Sequence, residues 1–381
     1  MLKVCYIITK LELGGAQKVA LYTACNIDKT KFDDFLICGD GGILYDEAKQ
    51  NLKTIQIKNL VREISPIKDF LALIQIYKVL KKEKPDIVHT HSSKAGIIGR
   101  IAAKLAGVKS IIHTIHGYGF NETQKFFVKY IFVYIEKFCA IITDKLIAVA
   151  REDIKKGVKY NIAKEDKFVL IRAGIDEIFF QDYAPSPEFK NSLTDGKSVQ
   201  LVLTIGPFKP QKNTADFIKA AAEVLKEKDD VLFAIVGDGE QREQLETLAN
   251  NLNIKDKILF LGWRKDIRQL LYASDIFVLT SLWEGLPCTI VEAMRCLKPV
   301  VANAVDGVKE IIIESETGFL IPPYDYKASA QKILYLLKND SQRLKMGSAA
   351  QASIKEEFKM QSVVQSHEQL YLELNSYPRG R

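Results

Sequence analysis

The chain has 381 residues, 47% of them hydrophobic and 27% charged, with a net charge of +7. That is the balance of a soluble globular protein, and it is too long for a single core, so two domains are expected. The positive excess suits acidic small molecules or an anionic membrane surface and is too diffuse to argue for nucleic acid, which is not expected as a partner.

Six cysteines (Cys5, Cys25, Cys38, Cys139, Cys288, Cys296) are widely spaced and mostly inside apolar runs. With no C-x-x-C pair they read as buried free thiols in a reducing compartment rather than as disulfides or zinc ligands. The first residues enter a strand without a charged n-region and h-region, so no signal peptide is expected. No uncharged apolar stretch approaches the roughly 18 residues of a membrane-spanning helix.

Taken in order, the apolar run 3–9 reads as a buried parallel strand. It opens into Glu12-Leu13-Gly14-Gly15-Ala16-Gln17 and a helix to about residue 26. Paired glycines ahead of a helix let a ligand approach the backbone, although a plain tight turn accounts for them equally well. Ser65 and Pro66 suit the cap and first position of a helix reaching about residue 83. A strand over 86–89, a helix over 94–106 closed by Gly107, and a strand over 110–114 follow. Such alternation specifies a parallel sheet with helices on both faces, whose ligands bind beyond the carboxyl ends of the strands.

Two polar clusters fall at those ends: His89-Thr90-His91-Ser92-Ser93-Lys94 and His113-Thr114-Ile115-His116-Gly117-Tyr118-Gly119. Four of the five histidines lie in them. His89 and His91 share a strand face, yet no nearby carboxylate or cysteine completes a metal site, so no metal is expected. Residues 120–142 predict a helix carrying Phe126, Phe127, Tyr130, Phe132, Tyr134 and Phe138 with Lys125, Lys129 and Lys137 among them. Core packing is the plain reading; the alternative is a helix lying in a lipid headgroup region, aromatic on one side and basic on the other.

Strands over 145–149 and 168–171, with a helix from Arg151, finish the first domain. The stretch 182–197, holding Pro185, Ser186, Pro187, Ser192 and Gly196, has linker composition. A second domain then restarts the pattern with a strand over 199–205 and the basic loop Gly206-Pro207-Phe208-Lys209-Pro210-Gln211-Lys212-Asn213. A strand over 231–236 ends in Gly237-Asp238-Gly239, and 258–267 carries Trp263, Arg264 and Asp266. The buried strand 275–280 leads into Ser281-Leu282-Trp283-Glu284-Gly285-Leu286-Pro287-Cys288-Thr289-Ile290-Val291-Glu292-Ala293-Met294, a strand–loop–helix unit. Its helix start, near Thr289, offers free N–H groups and the positive dipole end to an anion such as a diphosphate. Helices from about Lys327, Gln342 and Met360 close the chain.

Several of these segments together resemble glycosyltransferase family 4, retaining enzymes of the GT-B fold. Glu284 and Glu292 are similar to the family's Glu-x7-Glu motif, and Gly14-Gly15 to its Gly-Gly loop. His116-Gly117 resembles its His-Gly, Gly237-Asp238-Gly239 its Gly-Asp-Gly, and 258–267 its Phe-x-Gly-x-x-x-Asp. Lys212 matches the lysine of the basic loop, while Pro207 stands where the family has arginine, so Lys209 is taken as its substitute.

The resemblance implies an α/β GT-B protein: two Rossmann-like domains facing each other across a cleft, with a C-terminal helix crossing back to the first. The expected organisation is 1–180 for the acceptor, 181–197 as linker, 198–358 for the nucleotide-sugar and 359–381 as the returning helix. It implies His116, Glu284 and Lys212 as catalytic residues. The donor would be held by Gly15, Lys209, Lys212, Gly237, Arg264, Gly285, Leu286, Thr289 and Glu292. The acceptor would meet Gly14, His91, Lys94 and Tyr118. The expected activity is transfer from a UDP-sugar to a polyprenyl-diphosphate-linked saccharide for a surface polysaccharide, without metal or cofactor. It would take place in the cytoplasm, with peripheral contact to the inner membrane face. Alternatives are a transferase with a soluble acceptor, a non-catalytic nucleotide-sugar binder and a sugar-nucleotide epimerase.

Overall fold

The computed structural model describes residues 1–180, 183 and 186–376. Two compact units emerge, 1–174 with 357–381, and 175–356.

In the first unit, β1 (Leu2–Ile8), α1 (Gly15–Asn26), β2 (Phe32–Cys38), α2 (Tyr45–Asn51) and β3 (Lys53–Gln56) are followed by α3 (Pro66–Glu83) and β4 (Ile87–His91). Then come α4 (Ser93–Ala106), β5 (Ser110–Ile115), α5 (Phe126–Ile141), β6 (Lys145–Ala148), α6 (Arg151–Lys159) and β7 (Phe168–Leu170). The seven strands form one parallel sheet in the order β3-β2-β1-β4-β5-β6-β7. Helices cover both faces, so central strands such as β4 and β5 are buried at every residue and read as runs rather than alternations. The order reverses between β1 and β4, the crevice where such sheets take ligands.

The second unit holds α7 (Glu177–Phe180), α8 (Pro187–Thr194), β8 (Gln200–Ile205), α9 (Thr214–Leu225), β9 (Val231–Val236), α10 (Arg242–Asn251) and β10 (Ile258–Gly262). These are followed by α11 (Ile267–Ala273), β11 (Ile276–Leu279), α12 (Cys288–Arg295), β12 (Val300–Asn303), β13 (Gly318–Ile321), α13 (Tyr326–Lys338) and α14 (Asp340–Ala352). Its six strands are also all parallel, in the order β10-β9-β8-β11-β12-β13, with the reversal between β8 and β11. Last comes α15 (Met360–Ser376), which packs on α1 and completes the first unit.

Two local expectations change. The helix expected from residue 120 begins at Phe126, because Asn121 ties its own turn. Its Oδ1 accepts the Thr123 N–H at 2.9 Å, and its N–H donates to Gln124 Oε1 at 3.1 Å. The stretch expected as a linker contains α8, whose N-cap Ser186 accepts the Phe189 N–H at 3.2 Å. Asp182 and Pro185 of that stretch, and 377–381 of the returning segment, lie outside the described residues. Two lysines of α5 have partners within the first unit. Lys129 is ion-paired to Glu122 at 2.6 Å, and Lys137 lies over the Tyr134 ring at 5.3 Å.

What α5 does present is apolar. Phe127, Ile131, Tyr134, Phe138 and Ile141, spaced by three and four residues, are all exposed, and Phe126 is 75% exposed. Val133, Glu136, Cys139 and Ala140 form the opposite, buried side. Among the described residues no helix is long and apolar enough to cross a membrane. All six cysteines are free thiols.

Candidate active site

The reversal between β8 and β11 brings two loops together in the second unit. The loop after β8 ends in Lys212 and the loop after β11 carries Glu284, and the Lys212 ammonium is ion-paired with the Glu284 carboxylate in a largely buried contact. Backbone bonds stitch the loops. The Leu282 N–H donates to the Gln211 carbonyl at 2.8 Å, Gln211 Nε2 to the Trp283 carbonyl at 2.8 Å, and Thr280 Oγ1 to the Lys212 and Asn213 carbonyls at 3.0 Å each. Asn303, at the end of β12, donates to the carbonyls of Thr280 at 2.8 Å and Ser281 at 3.1 Å. The Glu284 N–H donates to Asp306 Oδ2 at 2.9 Å. Each loop is thus held by several bonds, and a mobile side chain such as lysine is delivered to one place.

Helix α12 starts immediately afterwards, with Pro287 at the cap and no side-chain cap bond. Its first-turn N–H groups are therefore without the usual side-chain acceptor, as an anion site requires. Leu286 is buried beside it, and Glu292 is buried on the second turn. Two hydroxyls here, Ser281 Oγ and Thr289 Oγ1, are buried with no hydrogen-bond partner among the described residues. Buried polar atoms without partners are uncommon; Ser281 lies just past β11 and Thr289 in the first turn of α12.

Gly237 follows β9 at φ +135°, and a Cβ there would lie 2.0 Å from the Gly206 carbonyl oxygen. Only glycine lets the Gly-Asp-Gly turn rest against the start of the basic loop. Arg264 does not reach outward freely: its guanidinium forks onto Asp266, with Nε 2.7 Å from Oδ1, and holds that carboxyl below its usual range. Trp263 beside it is half exposed. Lys209 lies partly buried on the basic loop behind the fully buried Phe208.

In the first unit, Gly14 caps α1 without a side chain and Gly15 begins it, just past the end of β1. His91 ends β4 and His116 lies one residue past β5, the two strands pairing with His91 opposite Thr114. His91 Nδ1 is 3.1 Å from His116 Nε2. His89 bonds to Tyr371 Oη on α15 at 2.6 Å through Nδ1 and to Thr114 Oγ1 at 2.7 Å through Nε2. His113 bonds to Thr90 Oγ1 at 2.9 Å, and the His367 ring of α15 packs 5.5 Å from His89. All five histidines of the chain thus belong to one group in a single unit, four of them buried and His116 part-buried. Burial pushes His116 down to about 3 and His367 to about 4, and holds His89, His91 and His113 well below their usual range. Each ring is neutral at neutral pH.

The three side chains expected at the acceptor are each engaged within the first unit. His91 is almost wholly buried, with Nδ1 3.1 Å from His116 Nε2. Lys94 turns onto α3, ion-paired with Asp69 at 2.5 Å and bonded to the Glu63 carbonyl. Tyr118 is a core residue packed 4.8 Å from Phe120. Gln211, Ser281, Asn303 and Asp306 were not foreseen; their position just beyond strand ends was the only signal available. Among the described residues no group of three or more His, Cys, Asp or Glu is arranged to hold a metal ion.

The two halves match two family models, Glycosyltransferase Family 4 over residues 13–178 and Glycosyl transferases group 1 over residues 186–353. An Escherichia coli UDP-Gal:alpha-D-GlcNAc-diphosphoundecaprenol alpha-1,3-galactosyltransferase is 38% identical over 324 residues, 84% of each chain. The capsular polysaccharide biosynthesis glycosyltransferase CapM of Staphylococcus aureus is 27% identical over 90% of each chain. Among solved structures, HepE of Anabaena in complex with UDP and glucose superposes with a TM-score of 0.85 at 21% identity, over 98% of this chain and 100% of that one. The chain belongs to glycosyltransferase family 4, with two parallel-sheet Rossmann-like units whose structural neighbours have the GT-B fold. It is a glycosyltransferase.

Proposed function

We propose that this enzyme moves a sugar from a UDP-sugar to a saccharide carried on a polyprenyl diphosphate, with retention, in the building of a surface polysaccharide. The observation that carries the reading is the Lys212–Glu284 ion pair just ahead of the uncapped start of α12, with the unpartnered Thr289 hydroxyl in that helix's first turn. Lys212, assisted by Lys209 and the N–H groups near Gly285, Leu286 and Thr289, binds the diphosphate and takes up the charge that develops as it leaves. When the donor arrives, Lys212 turns from Glu284 to phosphate, and the freed carboxylate accepts a sugar hydroxyl. Glu292 holds the ribose, and Gly237 and Arg264 border the base. For the first unit the family resemblance implies Gly15 as a donor residue, Gly14 as an acceptor residue and His116 as a hydrogen-bonding partner of a sugar.

The acceptor hydroxyl attacks the face from which the diphosphate departs, and a diphosphate oxygen takes its proton. Lysine and backbone N–H groups supply the positive charge, so no metal ion is needed. The acceptor class is supported by the names of two relatives. One is the Escherichia coli galactosyltransferase; the other is a Campylobacter jejuni N,N'-diacetylbacillosaminyl-diphospho-undecaprenol alpha-1,3-N-acetylgalactosaminyltransferase, 28% identical over 80% of this chain. The exposed apolar stripe of α5, with Lys125 at its start, fits peripheral contact with an anionic membrane at the inner face, where such an acceptor resides.

A transfer assay tests this. Incubation with a panel of UDP-sugars and a polyprenyl-diphosphate N-acetylhexosamine should give one extended lipid, whose new linkage keeps the α configuration of the donor by NMR. Extension of a soluble sugar but not of the lipid, or an inverted linkage, would overturn it.

A further inference from the structure

We infer that His91 is a positioning residue that fixes the tautomer and direction of His116. The inference rests on the reading of His116 given above and adds to it the group that sets it. A neutral imidazole carries one N–H, so in the contact between His91 Nδ1 and His116 Nε2, 3.1 Å long, one ring donates and the other accepts. His91 Nε2 settles which. It is buried with no hydrogen-bond partner among the described residues. Were His116 the donor, the His91 proton would sit on that nitrogen as an orphaned buried N–H, an arrangement folded proteins avoid. With the proton on Nδ1, His91 donates into the bond and Nε2 is a bare ring nitrogen.

His116 then accepts at Nε2 and carries its proton on Nδ1, for which no bond partner exists among the described residues. That leaves a donor, not an acceptor, for a sugar hydroxyl or ring oxygen. Second partners of this kind commonly fix the tautomer of a working histidine.

His91 itself is held from three sides. It ends β4, paired to β5 opposite Thr114. Its ring lies tilted 4.2 Å from His89 and stacked 6.3 Å from Tyr6. The next residue, Ser92, takes φ +63°, and its Oγ is locked 2.8 Å from Thr9 Oγ1. A non-glycine residue in that region of the map is a strained turn kept by its surroundings.

The test combines a spectrum with kinetics. Nitrogen-15 histidine spectra of the full chain at neutral pH should show His116 protonated at Nδ1. His91→Leu keeps an apolar filler but removes the donor; it should lower kcat by about 10²-fold, the cost of a misplaced group, with donor KM little changed. His91→Asn, whose amide N–H replaces the lost donor, should restore most of kcat. In a His116→Ala background, His91→Leu should cost little more. An Nε2 proton on His116 overturns the inference alone. So does a wild-type kcat in His91→Leu, an equal loss in His91→Leu and His91→Asn, or a full additive loss in the double variant. Wild-type turnover by His116→Ala would remove the reading of His116 and the positioning role together.

Discussion

At the scale of single residues, Lys212 and Glu284 form an ion pair between the loops that follow β8 and β11. Lys212, Glu284 and Glu292 were singled out because ligands of a parallel sheet bind beyond the carboxyl ends of its strands. That Lys212 and Glu284 are ion-paired to each other was not legible, since 72 positions separate them and only the β8–β11 reversal joins their loops. The partners of His91, Lys94 and Tyr118 were not legible for a related reason. A strand end fixes height in the sheet but not whether the side chain turns inward, to a neighbouring helix or outward. Gly237 makes the clearest residue-level prediction. Alanine there must adopt φ +135° and meet the Gly206 carbonyl, so Gly237→Ala should lower stability by about 1–3 kcal/mol in urea unfolding. An unchanged urea midpoint would show that the Gly-Asp-Gly turn is not held against the basic loop.

At the scale of elements, the helices and strands followed from apolar runs and cap residues. Pro66 begins α3, Gly107 closes α4 in a left-handed conformation, and the run 231–236 is β9. Two departures come from short-range polar bonding that periodicity does not record: the Asn121 turn ahead of α5 and the Ser186 cap of α8. The character of α5 was also open, because an aromatic helix reads alike whether its stripe is buried or exposed. The exposed face decides it. Replacing Phe127, Tyr134 and Phe138 together by serine should sharply reduce flotation with anionic vesicles while leaving the folded state intact, since these rings bury little in the protein. Unreduced flotation would assign membrane contact to another surface.

At the scale of the whole molecule, composition and length gave two domains, and the fold follows from the same alternation used twice. The histidine group is a property of the first unit as a whole, joining β4, β5 and α15. Its pH dependence has a definite sign. The folded values lie below the 6.5 of a free histidine, to about 3 for His116 and about 4 for His367. The unfolded chain therefore binds more protons between those limits. The stability is complete above 6.5 and is lost as pH falls toward 4, by up to about 1.4 kcal/mol per pH unit for each histidine. The thermal midpoint should fall between neutral pH and the upper part of that window, and His367→Gln should make the fall shallower. A flat midpoint across that range would contradict the neutral, buried histidine group.

The central claim is that the second unit grips an activated sugar by its diphosphate at Lys212 and the start of α12. Calorimetric titration of UDP with the wild-type chain and with Lys212→Met tests it most directly. The account predicts measurable binding by the wild type, weakened roughly 10–100-fold in the variant, as loss of one charge-assisted bond implies. Equal affinity in the two proteins would contradict it.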